Sequence, residues 1–164
     1  MGLGLGVASA SFAESGVFHK PYKDAGINHI YNLLFCDDIS LFKKEPDEDL
    51  SHPWSVLFAP TPDRAELTKV ASDQNQEGRV RMLAYNQLRD MNQKVAEKEL
   101  LGVIIEVGME EGLDTLAVFC DGGIRYINYT GKMGVVEGGA PKQIEDKAKT
   151  ILSASQRIVR RRTT

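Results

Sequence analysis

Apolar residues recur at helical spacing through much of the first half of the chain. Between Ile27 and Phe42, and again between about Glu77 and Lys98, they return every three or four positions, which places them on one face of a helix. A shorter helix is predicted to begin at Asp63, because Asp63 and Glu66 resemble a capping box. The run WSVLF at residues 54–58 lies between prolines and predicts a short extended segment.

The pattern changes near residue 100 to short runs rich in β-branched residues. Four strands are predicted, at residues 100–108, 113–121, 124–130 and 133–137. The turn at residues 121–123, Asp-Gly-Gly, is typical of a tight hairpin because glycine adopts a positive φ without strain. None of the connections is long enough for a crossover helix, so consecutive strands must run antiparallel. The sequence therefore predicts a meander of four to five strands.

A last helix follows the strands and completes the predicted architecture. Pro141 suits a helix start, and apolar residues from Ile144 to Val159 repeat along one face. Helices, then strands, then a helix indicate an α+β fold, with the helices packed on one face of an antiparallel meander sheet. We expect a single α+β domain at residues 17–160, preceded by a flexible or loosely packed segment at 1–16 and followed by a basic frayed tail at 161–164.

Composition narrows the class of protein and its compartment. The chain has 164 residues, of which 42% are hydrophobic and 26% charged, so collagen, coiled coil and wholesale disorder are excluded. Two cysteines and no apolar run of membrane-spanning length indicate a cytoplasmic protein. Export through residues 1–13 is the alternative, because Ala8-Ser9-Ala10 resembles a signal-peptidase site, although no basic residue precedes Lys20.

Candidate catalytic chemistry is sparse. The histidines, His19, His29 and His52, have no metal-ligand spacing, so neither a metal nor a cofactor is expected. An enzyme is the alternative to a binding protein: a small hydrolase or ligand-binding enzyme with a pocket near Cys36, in which His29 would act as base and Asp37 would orient it. Because Cys36 ends an apolar run, we interpret it as a packed thiol.

The third predicted strand concentrates the residue types that binding surfaces favour. Arginine and tyrosine are enriched among residues that contribute most to protein interfaces. The candidate partner-binding residues are Arg125, Tyr126, Asn128 and Tyr129. The hypothesis is therefore a non-enzymatic interaction module that binds a protein partner, or a second copy of itself, through an open sheet face. Either Arg125 with Tyr129 or Tyr126 with Asn128 would form its centre.

A basic cluster at the end of the chain offers a different kind of contact. Its members are Arg157, Arg160, Arg161 and Arg162. These cations would complement the negative C-terminal end of the last helix dipole, or, as the alternative, contact phosphate groups of a nucleic acid or an anionic surface. The net charge of −3 argues against nucleic-acid binding by the chain as a whole.

Overall fold

Five α-helices and four strands make up the fold in the computed structural model, which describes residues 18–42, 50–95 and 99–161. In chain order they are α1 (Ala25–Phe35), a 3-10 turn (Ile39–Phe42), α2 (Trp54–Leu57), α3 (Arg64–Ser72), α4 (Gly78–Asp90), β1 (Gly102–Met109), β2 (Gly112–Phe119), β3 (Gly123–Ile127), β4 (Met133–Glu137) and α5 (Lys142–Arg161). The α+β class is confirmed. The predicted segment 1–16 and residues 162–164 of the tail lie outside the described residues.

The four strands form one sheet in the order β1-β2-β3-β4, and every neighbouring pair is antiparallel. The predicted meander is therefore confirmed with four strands, and the described residues contain no fifth. Residues opposite each other share a face, so the register runs continuously from Val103 through Val118 and Ile124 to Val136. Within residues 18–42, 50–95 and 99–161, no further strand pairs with the outer edge of β1 or of β4, and these are the two free edges of the sheet.

One face of the sheet packs against α1, and we name it the α1 face. Ala117 and Phe119 of β2 and Ile127 of β3 project from it into a cluster with Tyr31 and Phe35 of α1. These side chains are buried because alternate strand positions point to the same side of the sheet. The α1 face therefore joins the first helix of the chain to the middle of the sheet.

Helix α5 packs on the opposite face, which we name the α5 face. Val118 and Ile124 project from it against Ala148 of α5 and Ala140 just before that helix. The prediction placed the helices on one face of the sheet, whereas in the structure α1 and α5 cover opposite faces. The physical reason is that β2 is apolar at successive positions, so both of its faces require cover.

Helices α2, α3 and α4 form a separate helical cluster. Leu67 and Val70 of α3 pack against Leu83 of α4, and all three are almost completely buried. Helix α3 begins as predicted, because a side-chain oxygen of Asp63 accepts a hydrogen bond of 2.9 Å from the N–H of Glu66. The cluster thus follows from local capping and helical periodicity.

Three predicted elements differ from the structure. Residues 54–57 form a helical turn instead of an extended segment, because the ring of Trp54 stacks on those of Phe42 and Phe58. The first helix ends at Phe35 and not at Phe42, since Cys36 has extended backbone angles. Helix α4 ends at Asp90, before Lys98, and Asn92 just beyond it has a φ of 55°, which is typical of helix ends.

The fully buried Ile127 provides a test of the core on the α1 face. We expect Ile127→Ala to lower the free energy of unfolding by about 2–5 kcal/mol, because it leaves a cavity that the surrounding side chains cannot fill. Val135→Ala, at an exposed position of β4, is the control and should cost less than about 1 kcal/mol. Urea denaturation measures both, and equal losses would contradict this description of the core.

Candidate interaction surface

Arg125 does not lie on an open sheet face. It is only 8% exposed, projects from the α1 face, and its guanidinium lies 5.2 Å from the ring centroid of Phe119. It donates to the backbone carbonyl of Leu34 in α1 at 3.2 Å and to Glu137 at 3.2 Å. Of the two alternative centres, the one formed by Arg125 with Tyr129 does not have Arg125 on an open face, because α1 covers this part of the sheet, whereas the one formed by Tyr126 with Asn128 stays a prediction.

A second buried arginine, Arg79 of α4, binds the same end of α1. It donates to the backbone carbonyl of Cys36 at 2.7 Å, and its guanidinium stacks over the ring of Phe42 at 4.6 Å. Burial and the neighbouring charge of Arg125 lower the pKa of Arg79 to about 10, so it stays cationic at neutral pH. Both cations favour the C-terminal end of α1, where the helix dipole is negative and carbonyls lack helical partners.

The other predicted binding residues lie at the surface, but one of them builds a turn. The side-chain oxygen of Asn128 accepts hydrogen bonds from the backbone N–H groups of Thr130 and Lys132, at 3.0 and 2.9 Å. This Asx geometry shapes the connection between β3 and β4. Tyr126 and Tyr129 are exposed, and Asp114 links them by accepting from the Tyr126 hydroxyl and the Tyr129 N–H.

The most exposed apolar strand is β1, which the sequence analysis did not single out as a site. Its exposed apolar side chains are Ile104 (39%), Ile105 (40%), Val107 (53%) and Met109 (44%). The sequence signal was present: in a meander the first strand is always an edge strand, so an apolar first strand leaves apolar side chains next to an unpaired edge.

The free edge of β1 presents the backbone groups of every second residue. The N–H of Cys120 donates to the carbonyl of Leu101 at 2.9 Å, and the β1–β2 register places these two residues opposite each other. Backbone groups in an antiparallel pair alternate in direction, so the odd-numbered residues of β1 bond to β2. The outward N–H and C=O groups therefore belong to Gly102, Ile104, Glu106 and Gly108.

Helix α5 extends the apolar surface on the α5 face. It contacts β1 and β2, and Ile151 and Leu152 are half-buried against the sheet. Ile144 and Ile158 on the same apolar stripe are exposed, the latter by 62%. The 20 residues of α5 span about 30 Å, whereas the strand axes of a four-stranded sheet span about 14 Å in width. A helix of this length that crosses the strands is longer than the sheet is wide, so the sheet cannot cover all of it.

Three of the acidic residues around β1, Glu99, Glu106 and Glu111, have partners within the chain. The hydroxyl of Tyr31 donates to the carboxylate of Glu106 on the α1 face. Lys23 forms an ion pair with Glu111 at 2.6 Å, and Arg81 forms one with Glu99 at 2.5 Å. Each of these ion pairs is neutral overall, so the two ends of the β1 edge carry less negative charge than Glu99 and Glu111 alone would give them.

The residues of the enzyme hypothesis do not form a catalytic group. Cys36 is half-buried, and its thiol donates weakly to the side-chain oxygen of Asn32 at 3.5 Å. Burial and the nearby Asp37 raise the pKa of this thiol, which is the opposite of what a nucleophilic cysteine requires. The side chain of His29 is exposed beside the ring of Phe18, and its imidazole forms no hydrogen bond with another described residue.

The basic cluster is only partly described. Arg157 is exposed on α5, and the structure describes neither the side chains of Arg160 and Arg161 nor residue Arg162. Within the described ranges, no group of three or more histidine, cysteine, aspartate and glutamate side chains is placed to hold a metal ion. The described helices include none with the length and apolar character needed to cross a bilayer.

Comparison of the chain with protein-family models, with curated proteins and with solved structures gives no match. The function must therefore be argued from the residues and their geometry.

The role of Arg125 in the fold can be tested directly. We expect Arg125→Ala to lower the free energy of unfolding by about 1–3 kcal/mol, because the Leu34 carbonyl loses its side-chain donor in a buried setting. Tyr129→Ala, on the same segment but exposed, should change it by less than about 0.5 kcal/mol. Urea denaturation measures the free energy of unfolding of both variants. An Arg125→Ala protein as stable as Tyr129→Ala would contradict the anchoring role.

The raised pKa of Cys36 predicts slow alkylation at neutral pH. Thiolate is the reactive form, so the rate should increase about tenfold for each pH unit until the pKa is reached. Asp37→Asn should accelerate the reaction by removing a charge that raises the pKa. Iodoacetamide labelling followed by mass spectrometry measures the rate at each pH. Rapid labelling of Cys36 in the folded protein at neutral pH would instead favour the enzyme hypothesis.

Proposed function

We propose that this protein is an interaction module that binds an extended segment of another polypeptide chain by β-strand addition at the free edge of β1. In this mode, backbone hydrogen bonds supply affinity and alternate side chains supply specificity. The observation that carries the proposal is the combination, on one strand, of an unpaired edge and four exposed apolar side chains. An incoming strand would satisfy the outward backbone groups and cover those side chains together.

The absence of the usual edge protection in β1 supports the proposal. Proteins protect exposed strand edges with prolines, bulges, inward-facing charges or very short strands, because an unprotected edge pairs with other chains. β1 has eight residues, contains no proline, and pairs with β2 without a bulge. Glu106 is its only charged side chain, and Tyr31 binds that carboxylate. The other edge strand, β4, has only five residues and ends at two glycines with positive φ.

The surface next to β1 suits an apolar strand. Ile105, Val107 and Met109 share the α5 face, and α5 contacts β1 as well as β2. On the α1 face, Ile104 is exposed between two glycines, Gly102 and Gly108, with Glu106 completing the row. A segment with apolar residues at alternate positions would therefore bury its apolar side chains against the α5 face.

The outward direction of the Ile104 N–H allows strand addition to be blocked without breaking the sheet. Proline is tolerated at edge positions whose N–H faces away from the ladder. Ile104→Pro should therefore leave the fold intact while removing a hydrogen-bond donor from the docking edge. Ile105→Pro removes an N–H that bonds to β2 and should lower the free energy of unfolding by about 1–3 kcal/mol. Ile104→Thr keeps the N–H and is the control for loss of the side chain.

Association is then measured in two ways. Sedimentation velocity over a concentration series detects self-association, and panning of a displayed library of random peptides selects other extended partners. We expect Ile104→Pro to abolish self-association or binding of the selected peptides, and Ile104→Thr to retain most of either. If the wild-type protein neither self-associates nor selects any peptide that Ile104→Pro fails to bind, the proposed function is wrong.

A further inference from the structure

We infer that the strand added to β1 is β1 of a second copy of this chain, paired antiparallel about a two-fold axis at Ile105. This inference rests on the proposed function and specifies its partner. The resulting dimer would contain one continuous sheet of eight strands, with the two α5 helices on the same side. The argument uses the direction of the backbone groups, the overlap of the strands and the positions of the charges.

Hydrogen bonding first restricts the possible registers. An antiparallel pair bonds only where the backbone groups of both opposing residues point toward each other. The outward groups of β1 belong to its even-numbered residues, so an even-numbered residue must lie opposite an even-numbered residue of the second copy. The sum of any two paired residue numbers is therefore even. One residue then lies opposite its own counterpart on the two-fold axis.

Overlap and charge select among the registers that remain. An axis at Ile104 pairs only residues 102–106 of β1, and an axis at Val107 pairs only residues 105–109. An axis at Glu106 gives a longer overlap but places two carboxylates directly opposite each other, which destabilises a strand pair. The axis at Ile105 pairs all residues from 102 to 108, and the two Glu106 side chains are diagonal neighbours. It is the longest overlap within β1 without directly opposed carboxylates.

The pairs in this register complement each other on the α5 face and bring no like charges directly opposite on the α1 face. On the α5 face, Val103 lies opposite Val107 of the second copy, and the two Ile105 side chains meet at the axis. On the α1 face, Ile104 lies opposite Glu106 of the second copy, while Gly102 lies opposite Gly108 of the second copy. On the α5 face, the apolar side chains of one β1 strand therefore lie beside the same apolar side chains of the second copy.

The flanking charges do not oppose this arrangement strongly. Beyond the paired residues, Glu99 would approach Glu111 of the second copy. Within each chain, however, Glu99 is paired with Arg81 and Glu111 with Lys23. Each carboxylate therefore brings a cation with it to the end of the interface.

Helix α5 supplies surface that a strand pair alone lacks. Stable interfaces bury about 1,200–2,000 Å² in total, more than the pairing of two short strands provides. Because α5 contacts β1 and β2, the two-fold axis brings the α5 helices of both copies to the same side of the joined sheet. Ile144 and Ile158 of this helix are exposed, so α5 has apolar side chains that its own sheet does not cover.

Cysteine cross-linking at the axis tests the register. Ile105 faces its counterpart in a non-hydrogen-bonded pair, in which Cα atoms are about 4.5 Å apart, within the range of about 4.4–6.8 Å that disulfides require. In a background with Cys36→Ala and Cys120→Ser, Ile105→Cys should therefore form a covalent dimer under mild oxidation. Val107→Cys is the matched control, because it lies on the same face of the same strand. It lies opposite Val103 of the second copy, four residues along the strand from the Val107 of that copy, so the variant should stay monomeric on a non-reducing gel.

The charges provide a second test that needs no cysteine. Because the two Glu106 residues are diagonal neighbours, with backbones about 7–8 Å apart, the repulsion between their carboxylates should weaken the dimer at low salt. Glu106→Gln should therefore tighten the dimer severalfold in sedimentation equilibrium at low salt, with a smaller gain at high salt. Val135→Thr on the other edge strand should leave the dissociation constant unchanged.

The outcomes separate this inference from the proposed function. A dimer that Ile104→Pro dissociates, but that cross-links through Val107→Cys and not Ile105→Cys, overturns the register and leaves strand addition standing. A monomeric protein that binds displayed peptides in an Ile104-dependent way overturns the second copy as partner. A protein that associates with nothing through β1 overturns both.

Discussion

The architecture depends on β2 being buried on both of its faces. Phe119 and Ala117 project to the α1 face, and Val118, between them in sequence, projects to the α5 face. Antiparallel sheets often leave one face in water, which gives an alternation of apolar and polar residues. β2 instead requires two layers of cover, and the chain supplies α1 before the sheet and α5 after it.

Two buried arginines hold the first of these layers in place. Arg125 of β3 and Arg79 of α4 bind the carbonyl oxygens of Leu34 and Cys36, at the C-terminal end of α1. Helix α1 has no basic residue in its own last turn, so the cations come from other elements. The same contacts link the sheet, α1 and the helical cluster of α2, α3 and α4. Arg125 is thus used inside the molecule, which moves the candidate interaction surface away from β3.

The two helical layers leave both edge strands incompletely covered, and of the two β1 is the longer. Helix α1 reaches β1 through the bond between Tyr31 and Glu106, and α5 leaves Ile105 and Val107 exposed on the other face. A free edge with apolar side chains on both sides favours pairing with another strand over hydration. The proposed strand addition therefore follows from how the two layers are placed, and it requires no catalytic chemistry.

The sequence by itself determined most of the local elements and their order, although it missed the helical turn at 54–57 and the ends of two helices. The glycine turn after Asp121, the cap at Asp63 and the short connections between the strands each act within a few residues, and all three appear in the structure. Only the tertiary structure decided that α5 covers the face opposite α1, and hence that Arg125 is buried while Ile105 is exposed. Periodicity shows that a face is apolar, but the partner that covers it is set by contacts between residues far apart in the chain.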